Sequence, residues 1–370
     1  DEIVEPLVIA KFLILAKGLG SSEAEASFAV ADLAEQARAA ITEKYHIVAD
    51  DCFCTASVGI SMVGMNSTDT FELIKRAGIA MTSAEKLGGN CVRFFEDDLQ
   101  RAIENETRTV NDLHLAIKDQ QFVLYYQVLM NRHMQPVGAE TLIRWNHPEL
   151  GLLTPAKFIA FAEESLLIND IGDWVLGAAC KQLALWSDNP LTSKLMLSVN
   201  ISAKQLMNSD FINKVKAIVD EHQINSELLK FEITENVAIN NIHLAVEKML
   251  YLKHELGIKL SIDDFGVGYS SLSQLKNLPA NEIKIDLSFV RNILQSRSDK
   301  AVVKTIIDLG KNLNFEIVAE GVETKTQFEL LKHLGCDRFQ GYFFSKPVPV
   351  DDFERLVLAH AHPDYSVANS

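Results

Sequence analysis

The chain has 370 residues, 48% of them hydrophobic, and a formal net charge of −15. That length allows two or three average domains, or one large barrel with a smaller companion, and the apolar share is ample for a core. The acidic balance argues against a non-specific binder of DNA or RNA polymers, which needs clustered Lys and Arg, so a phosphate-bearing ligand would require metal ions or a local basic pocket.

Five cysteines, Cys52, Cys54, Cys91, Cys180 and Cys336, form no CxxC pair and no zinc spacing, which suits reduced thiols in a cytoplasmic compartment. No apolar run approaches the roughly 20 residues of a membrane span. The nearest, LVIAKFLILAKGL, is broken by Lys11 and Lys17 and reads as a buried strand and its exit. The chain thus reads as a cytoplasmic piece, with room for a sensor domain or membrane anchor before Asp1.

From the N-terminus, a helix-like SSEAEASFAVADLAEQARAAI precedes a strand-like FCTASVGISMV, a helix-like TDTFELIKRAGIAMTSAEKLG and a strand-like NCVRFF. This is an α+β pattern without acidic strand ends. The stretch from Glu96 to Asp119, with Leu99, Ile103, Leu113 and Ile117 among its acids, predicts a helical connector whose charges form a solvated face. A different rhythm then begins. Strand candidates FVLYYQ, VGAETLIRW, LMLSVN, LKFEITE, KLSIDD, EIKID, FEIVAEG and DRFQGYFF alternate with helix-like stretches such as SDFINKVKAIVDEH and SDKAVVKTIIDLGKNLN. Such alternation implies parallel strands with crossover helices, and eight strands imply an α/β fold of the TIM-like (β/α)8 barrel type.

In such a barrel the C-terminal strand ends face the active site. Here those ends carry Asn200, Glu232, Asp263 with Asp264, Lys284, Glu320 and Gln340. Period-two spacing puts Glu140, Leu142 and Arg144 on one face of the second strand, and Lys284 with Asp286 on one face of theirs. The stretch SIDDFGVGYSSL poses a further problem. Adjacent strand residues face opposite sides, so Asp263 and Asp264 share a pocket only if the backbone leaves strand geometry, as Gly266 and Gly268 permit. Carboxylates about 4 Å apart repel by roughly 4 kcal/mol at an effective dielectric of about 20, so that pocket needs a cation or a shared proton. The plain alternative is a loop whose acids point to water.

Carboxylates and an amide, without cysteine or clustered histidine, select hard ions such as Mg²⁺ or Mn²⁺. Glu140, Asn200, Glu232, Asp263 and Asp264 suffice to hold two ions with Asp263 bridging, able to activate a water and neutralise a phosphodiester during in-line attack. Lys284 would steady the water, Glu320 would ligate the second ion or take a proton, and Arg144 would meet a non-bridging phosphate oxygen. The structural alternatives pair Lys284 with Asp286 and Arg144 with Glu140. His147 shows no ligand spacing and reads as structural; Tyr125, Tyr126 and Tyr342 read as core or rim.

On these residues, the segment from Val110 to Leu356 resembles an EAL domain, the bacterial cyclic di-GMP phosphodiesterase family. Its named tripeptide stands here as Glu140, Thr141 and Leu142, followed in order by SVNIS, FEITE, DDFGVGYSSL, KIDLSFV, AEGVET and FQGYFFSKP. The resemblance implies hydrolysis of cyclic di-GMP to linear pGpG with Mg²⁺ or Mn²⁺. It implies Glu140, Asn200, Glu232, Asp263, Asp264 and Glu320 as metal ligands, and Lys284 and Glu320 as the water-activating pair. It also implies Gln127, Leu142, Arg144, Asp286 and Gln340 as substrate contacts, Glu235 as anchor of the loop after the aspartates, and a homodimer through the barrel. Thr141, Val128 and Val267 depart from the family's usual Ala, Pro and Thr; none removes a ligand.

The region from Val8 to Phe95 resembles the later part of a GGDEF diguanylate cyclase domain, through TASVGIS, AMTSAEKLG and NCVRFF. At the family's signature this chain has Val8, Ile9, Ala10, Lys11 and Phe12, so the resemblance implies a partial, degenerate domain without cyclase activity. The expected division is residues 1–107 for that part and its connector, and 108–370 for the EAL domain. Two functions follow: metal-dependent hydrolysis of cyclic di-GMP, or a catalytically silent receptor for it that signals through the degenerate part. The complete ligand set favours the enzyme.

Overall fold

The computed structural model describes residues 2–8, 11–19, 23–42, 44–47, 50–62, 69–95, 97–235, 242–267 and 272–361. The chain divides into two compact units, Asp1–Thr109 and Val110–Ser370.

In the first unit, β1 (Glu2–Val8) pairs antiparallel with β2 (Lys11–Ala16), and β3 (Lys44–Ile47) with β4 (Asp50–Phe53). β5 (Val58–Ile60) and β6 (Val92–Phe94) pair in parallel, with the helix Thr70–Lys86 between them in sequence. Asp69 starts that helix by accepting the N–H of Phe71 at 3.4 Å. The helix Glu23–Ile41 forms within the first expected helical stretch. LVIAKFLILAKGL, by contrast, is not one buried strand. It is divided between β1 and β2, and Phe12, Ile14 and Leu15 of β2 are exposed, Phe12 to 65%. A two-stranded sheet buries little of either strand, whatever its apolar content. Ile9 and Ala10, within the signature region, lie outside the described residues.

The second unit is a closed barrel. Its strands are β7 (Phe122–Asn131), β8 (Pro136–His147) with the short hairpin partner β9 (Gly151–Leu153), β10 (Met196–Ile201), β11 (Leu229–Thr234), β12 (Lys259–Phe265), β13 (Glu282–Ile285), β14 (Glu316–Ala319) and β15 (Arg338–Phe339). The order runs from β10 through β15 to β7 and β8, and β8 pairs back onto β10 to close the ring.

Not every strand is parallel, as the alternation implied. β7 runs antiparallel to both β8 and β15. Residues 132–135 are all that join β7 to β8, far short of the dozen or more that a parallel crossover needs. The last strand is also shorter than DRFQGYFF implies, so Gln340 lies just beyond it.

Alternation sorts the barrel's side chains. Phe231, Ile262, Ile283 and Ile317 are fully buried in the apolar core, each contributing about 1.5–3 kcal/mol relative to exposure. Lys230, Glu232, Ser261, Glu282 and Lys284 occupy the intervening positions and are just as buried. The barrel therefore has a polar interior wrapped in an apolar shell. The connector forms the helix Asp97–Lys118 as expected, and Leu113 and Ala116 near its end are fully buried in the barrel's core; the side chains of Leu99 and Ile103 lie outside the described residues. Among the described residues, no helix is long and apolar enough to cross a membrane. Cys54, Cys91, Cys180 and Cys336 are free thiols.

Candidate active site

Lys284 on β13 is the centre of the site. Its fully buried ammonium lies 2.6 Å from Glu232 Oε2, 2.6 Å from Glu320 Oε1, 3.1 Å from Asp263 Oδ1 and 3.5 Å from Glu140 Oε2. Four carboxylates from different strands or strand ends thus converge on one cation. The alternative pairing with Asp286 is not how Lys284 is used: Asp286 caps the helix Leu287–Arg291, accepting the N–H of Ser288 at 2.9 Å and its hydroxyl.

Amides direct the remaining acceptors. Asn200 donates to Glu140 Oε1 at 2.7 Å, and Gln340 donates to Glu140 Oε2 at 2.6 Å and to Gln127 Oε1 at 3.0 Å. Gln127 in turn donates to the carbonyl of Ser345 at 3.2 Å. The backbone after Gln340 passes so close to Val322 that a Cβ on Gly341 would lie 2.2 Å from its carbonyl oxygen.

The paired aspartates meet because the chain leaves β geometry between them. Asp264 has φ +53°, in the left-handed region, and the register with β13 shifts between Ile262 and Phe265. Gly266 follows at φ +102°, where an added Cβ would lie 3.0 Å from the Phe289 ring. Its N–H donates to Glu235 Oε2 at 3.0 Å, while the N–H of Glu235 donates to the carbonyl of Asp263 at 3.1 Å. Gly268 lies outside the described residues. One oxygen each of Asp263, Asp264 and Glu320 lies within 4.8 Å of the others.

This crowding shows in the acidities. Burial, with repulsion from Glu140 and Asp263, pushes Glu232 up to about 7. Burial and the neighbouring Asp263 and Asp286 push Asp264 up to about 6, and Glu320 is raised well above the carboxylate range by burial, Asp263 and Glu140. Glu140 goes the other way. Burial opposes its charge, but Lys284, Gln340 and Asn200 outweigh that and hold it below the usual range. One ammonium cannot neutralise this many acids. An all-oxygen donor set with surplus negative charge fits a hard divalent cation, and Asp263, Asp264 and Glu320 bring oxygens close enough together to hold one.

At the rim, the Arg144 guanidinium sits 5.3 Å from the centre of the Tyr125 ring and donates to the carbonyl of Ile143 at 2.9 Å, without an ion pair to Glu140. Leu142, half-buried, lies opposite Tyr125 in the β7–β8 ladder. Tyr126 is buried, whereas Tyr342 is exposed with Lys346 over its ring. His147 is structural: Nδ1 accepts the N–H groups of Glu149 and Leu150, and Nε2 lies 3.4 Å from Asp112. The departures are accommodated. Thr141 donates its hydroxyl to the carbonyl of Ser198 at 2.7 Å, Val128 is fully buried, and Val267 is exposed.

Sequence reasoning missed a second ring beneath the first. Lys230 Nζ lies 2.5 Å from Glu282 Oε1, which also accepts the hydroxyl of Ser261 at 3.0 Å. Arg338 lies 3.2 Å from Glu282 Oε2 and 2.7 Å from Glu316 Oε2. Period two carried the signal, since Lys230, Ser261 and Glu282 each precede a residue of the upper ring by two positions.

A family model described as the EAL domain matches residues 110–347, so the chain belongs to the EAL domain family. It is 37% identical over 322 residues to the bifunctional diguanylate cyclase/cyclic di-GMP phosphodiesterase MucR of Pseudomonas aeruginosa, covering 87% of this chain and 47% of MucR. It is 35% identical over 308 residues to the cyclic di-GMP phosphodiesterase NbdA of the same organism, covering 83% of this chain and 39% of NbdA. The chain therefore spans less than half the length of these curated relatives. A solved structure of the PaMucR phosphodiesterase in complex with c-di-GMP superposes with a TM-score of 0.64 at 39% identity, covering 66% of this chain and 99% of that one.

Proposed function

We propose that this chain hydrolyses cyclic di-GMP to linear pGpG with Mg²⁺ or Mn²⁺. The observation that carries the reading is the convergence of Glu140, Glu232, Asp263 and Glu320 on the buried ammonium of Lys284. Membership of the EAL family and likeness to relatives named as cyclic di-GMP phosphodiesterases support the substrate. When bound between the acids, two divalent ions supply a lowered pKa for water and neutralisation of the phosphodiester. Lys284 orients the attacking water through its N–H donors, and Glu320, 2.6 Å away, takes the water's proton. The water oxygen bonds to phosphorus as the opposite ester bond breaks, and the departing ribose oxygen gains a proton from solvent. Arg144, freed of any ion pair to Glu140, meets a non-bridging phosphate oxygen; Gln127, Leu142, Asp286 and Gln340 line the substrate's path. Glu235 holds the loop after the aspartates through Gly266.

The division into residues 1–107 and 108–370 belongs to the same proposal. The first part is a degenerate, partial GGDEF-like domain without cyclase activity, supported by the parallel β5–β6 pair with its intervening helix. Under the same proposal the chain works in the cytoplasm as a homodimer through its barrel.

The test is incubation with cyclic di-GMP and Mg²⁺ or Mn²⁺, with nucleotides separated by chromatography beside Glu140→Ala and chelator controls. Formation of pGpG that disappears in both controls is the expected result. Cyclic di-GMP that stays intact while bound would replace the enzyme with a silent receptor, and synthesis of cyclic di-GMP from GTP would refute the view of the first part.

A further inference from the structure

Glu232 lies between two buried ammonium groups. Its Oε2 meets Lys284 at 2.6 Å, while its Oε1 stands 4.0 Å from Lys230 Nζ. That second distance is too long for a hydrogen bond, although Lys230 and Glu232 sit two residues apart on one face of β11 and both are fully buried. At that distance opposite charges attract, and a buried pair is little screened by solvent or salt. Something must hold the lysine back.

The restraint is visible in the lower ring. Lys230 Nζ is drawn to Glu282 Oε1 at 2.5 Å, and Glu282 is itself fixed by the hydroxyl of Ser261 at 3.0 Å and the guanidinium of Arg338 at 3.2 Å. Arg338 is anchored at its outer end by Glu316 at 2.7 Å. Three donors from β11, β12 and β15 thus keep the Glu282 carboxylate where Lys230 prefers it to Glu232. Without Glu282, the ammonium's nearest carboxylate would be Glu232, and it would occupy an oxygen that a divalent cation needs.

We infer that Glu282 is a positioning residue for the cation site: it withholds Lys230 from Glu232 and so leaves Glu232 Oε1 free to bind metal. This rests on Glu232 being a cation ligand. Glu282 is not among the proposed ligands; its partners are Lys230, Ser261 and Arg338, and its effect on the cation site passes through Lys230.

The experiment is calorimetric titration of the substrate-free full chain with Mn²⁺, beside thermal unfolding without metal. Glu282→Gln is expected to weaken Mn²⁺ binding about tenfold, the equivalent of ~1.4 kcal/mol. Lys230→Met/Glu282→Gln removes the competing ammonium and is expected to restore Mn²⁺ affinity to within about twofold of the parent, whereas Lys230→Met alone binds as well as the parent or better. Unchanged affinity in Glu282→Gln, or a loss that persists in the double variant, overturns the inference. If Glu282→Gln does not fold, the other two variants decide, and weakened Mn²⁺ binding in either overturns it. Glu232→Gln is the control for the parent reading: wild-type Mn²⁺ affinity there would show that Glu232 is no ligand, a failure separate from that of Glu282.

Discussion

Two rings of charge line one barrel, buried but for the exposed Glu316 of the lower ring, and they are balanced differently. In the lower ring, Lys230 and Arg338 face Glu282 and Glu316, charge for charge. In the upper ring, Lys284 alone faces Glu140, Glu232, Asp263 and Glu320. A balanced ring satisfies itself and needs no ligand. An unbalanced ring of the same residue types, a few ångströms away, is stable only with a further cation or with protons on its acids. Pairing, and burial of all but Glu316, are common to both rings, so the surplus of charge is what distinguishes the candidate site.

The contrast can be tested, beginning with the upper ring. Lys284→Met removes its only internal cation, and pGpG formation is expected to fall by about 10³-fold, within the ~10²–10⁴ range typical of positioned proton-transfer groups. A residual rate within tenfold of the parent would mean that the lysine is structural. Lys230→Met strikes the lower ring by leaving Glu282 with Arg338 as its remaining charged partner. Because breaking a buried pair is strongly destabilising, a loss of about 3 kcal/mol is expected in urea unfolding.

The lower ring also carries a pH signature. Burial disfavours the charge on Glu282, but Lys230, Arg338 and Ser261 outweigh it and hold its carboxyl below the usual range. Its stabilisation is therefore complete above the ordinary carboxylate pKa and is lost as pH falls through the depressed folded value. Lys230→Met/Glu282→Gln lacks that contribution. Its urea midpoint should fall less steeply than the parent's between about pH 5 and about pH 3, and parallel curves would contradict this. The smallest effect belongs to a position outside both rings. Thr141→Ala loses the hydroxyl bond to Ser198 and should cost about 1 kcal/mol while pGpG formation continues.

The same contrast explains what was legible in the sequence. Polar residues at strand ends stand out because an apolar run stops at them, which marks Asn200, Glu232, Asp263 and Lys284. Lys230 and Ser261 lie inside their runs and Glu282 begins its own, and their significance depends on the register that sets Ser261 beside Glu282 and Glu282 beside Glu316. Register between distant strands is a tertiary quantity that local pattern does not encode. The reversed direction of β7 was hidden for a related reason. Read as FVLYYQ and VGAETLIRW, the first two strands stand nine residues apart, 128–136; both extend into that gap and leave only residues 132–135.

The amides around Glu140 have one more consequence. Gln127 donates to Ser345, Gln340 donates to Gln127 and Glu140, and Asn200 donates to Glu140, so each side-chain nitrogen has a fixed address. The site therefore discriminates between isosteres of nearly identical shape. An acid at position 200 or 340 would fit the space yet turn a donor into an acceptor, setting oxygen against oxygen at Glu140. Steric fit alone is a poor guide to which neighbours this glutamate tolerates; the polarity of each contact, nitrogen toward carboxylate, is part of what the sequence specifies.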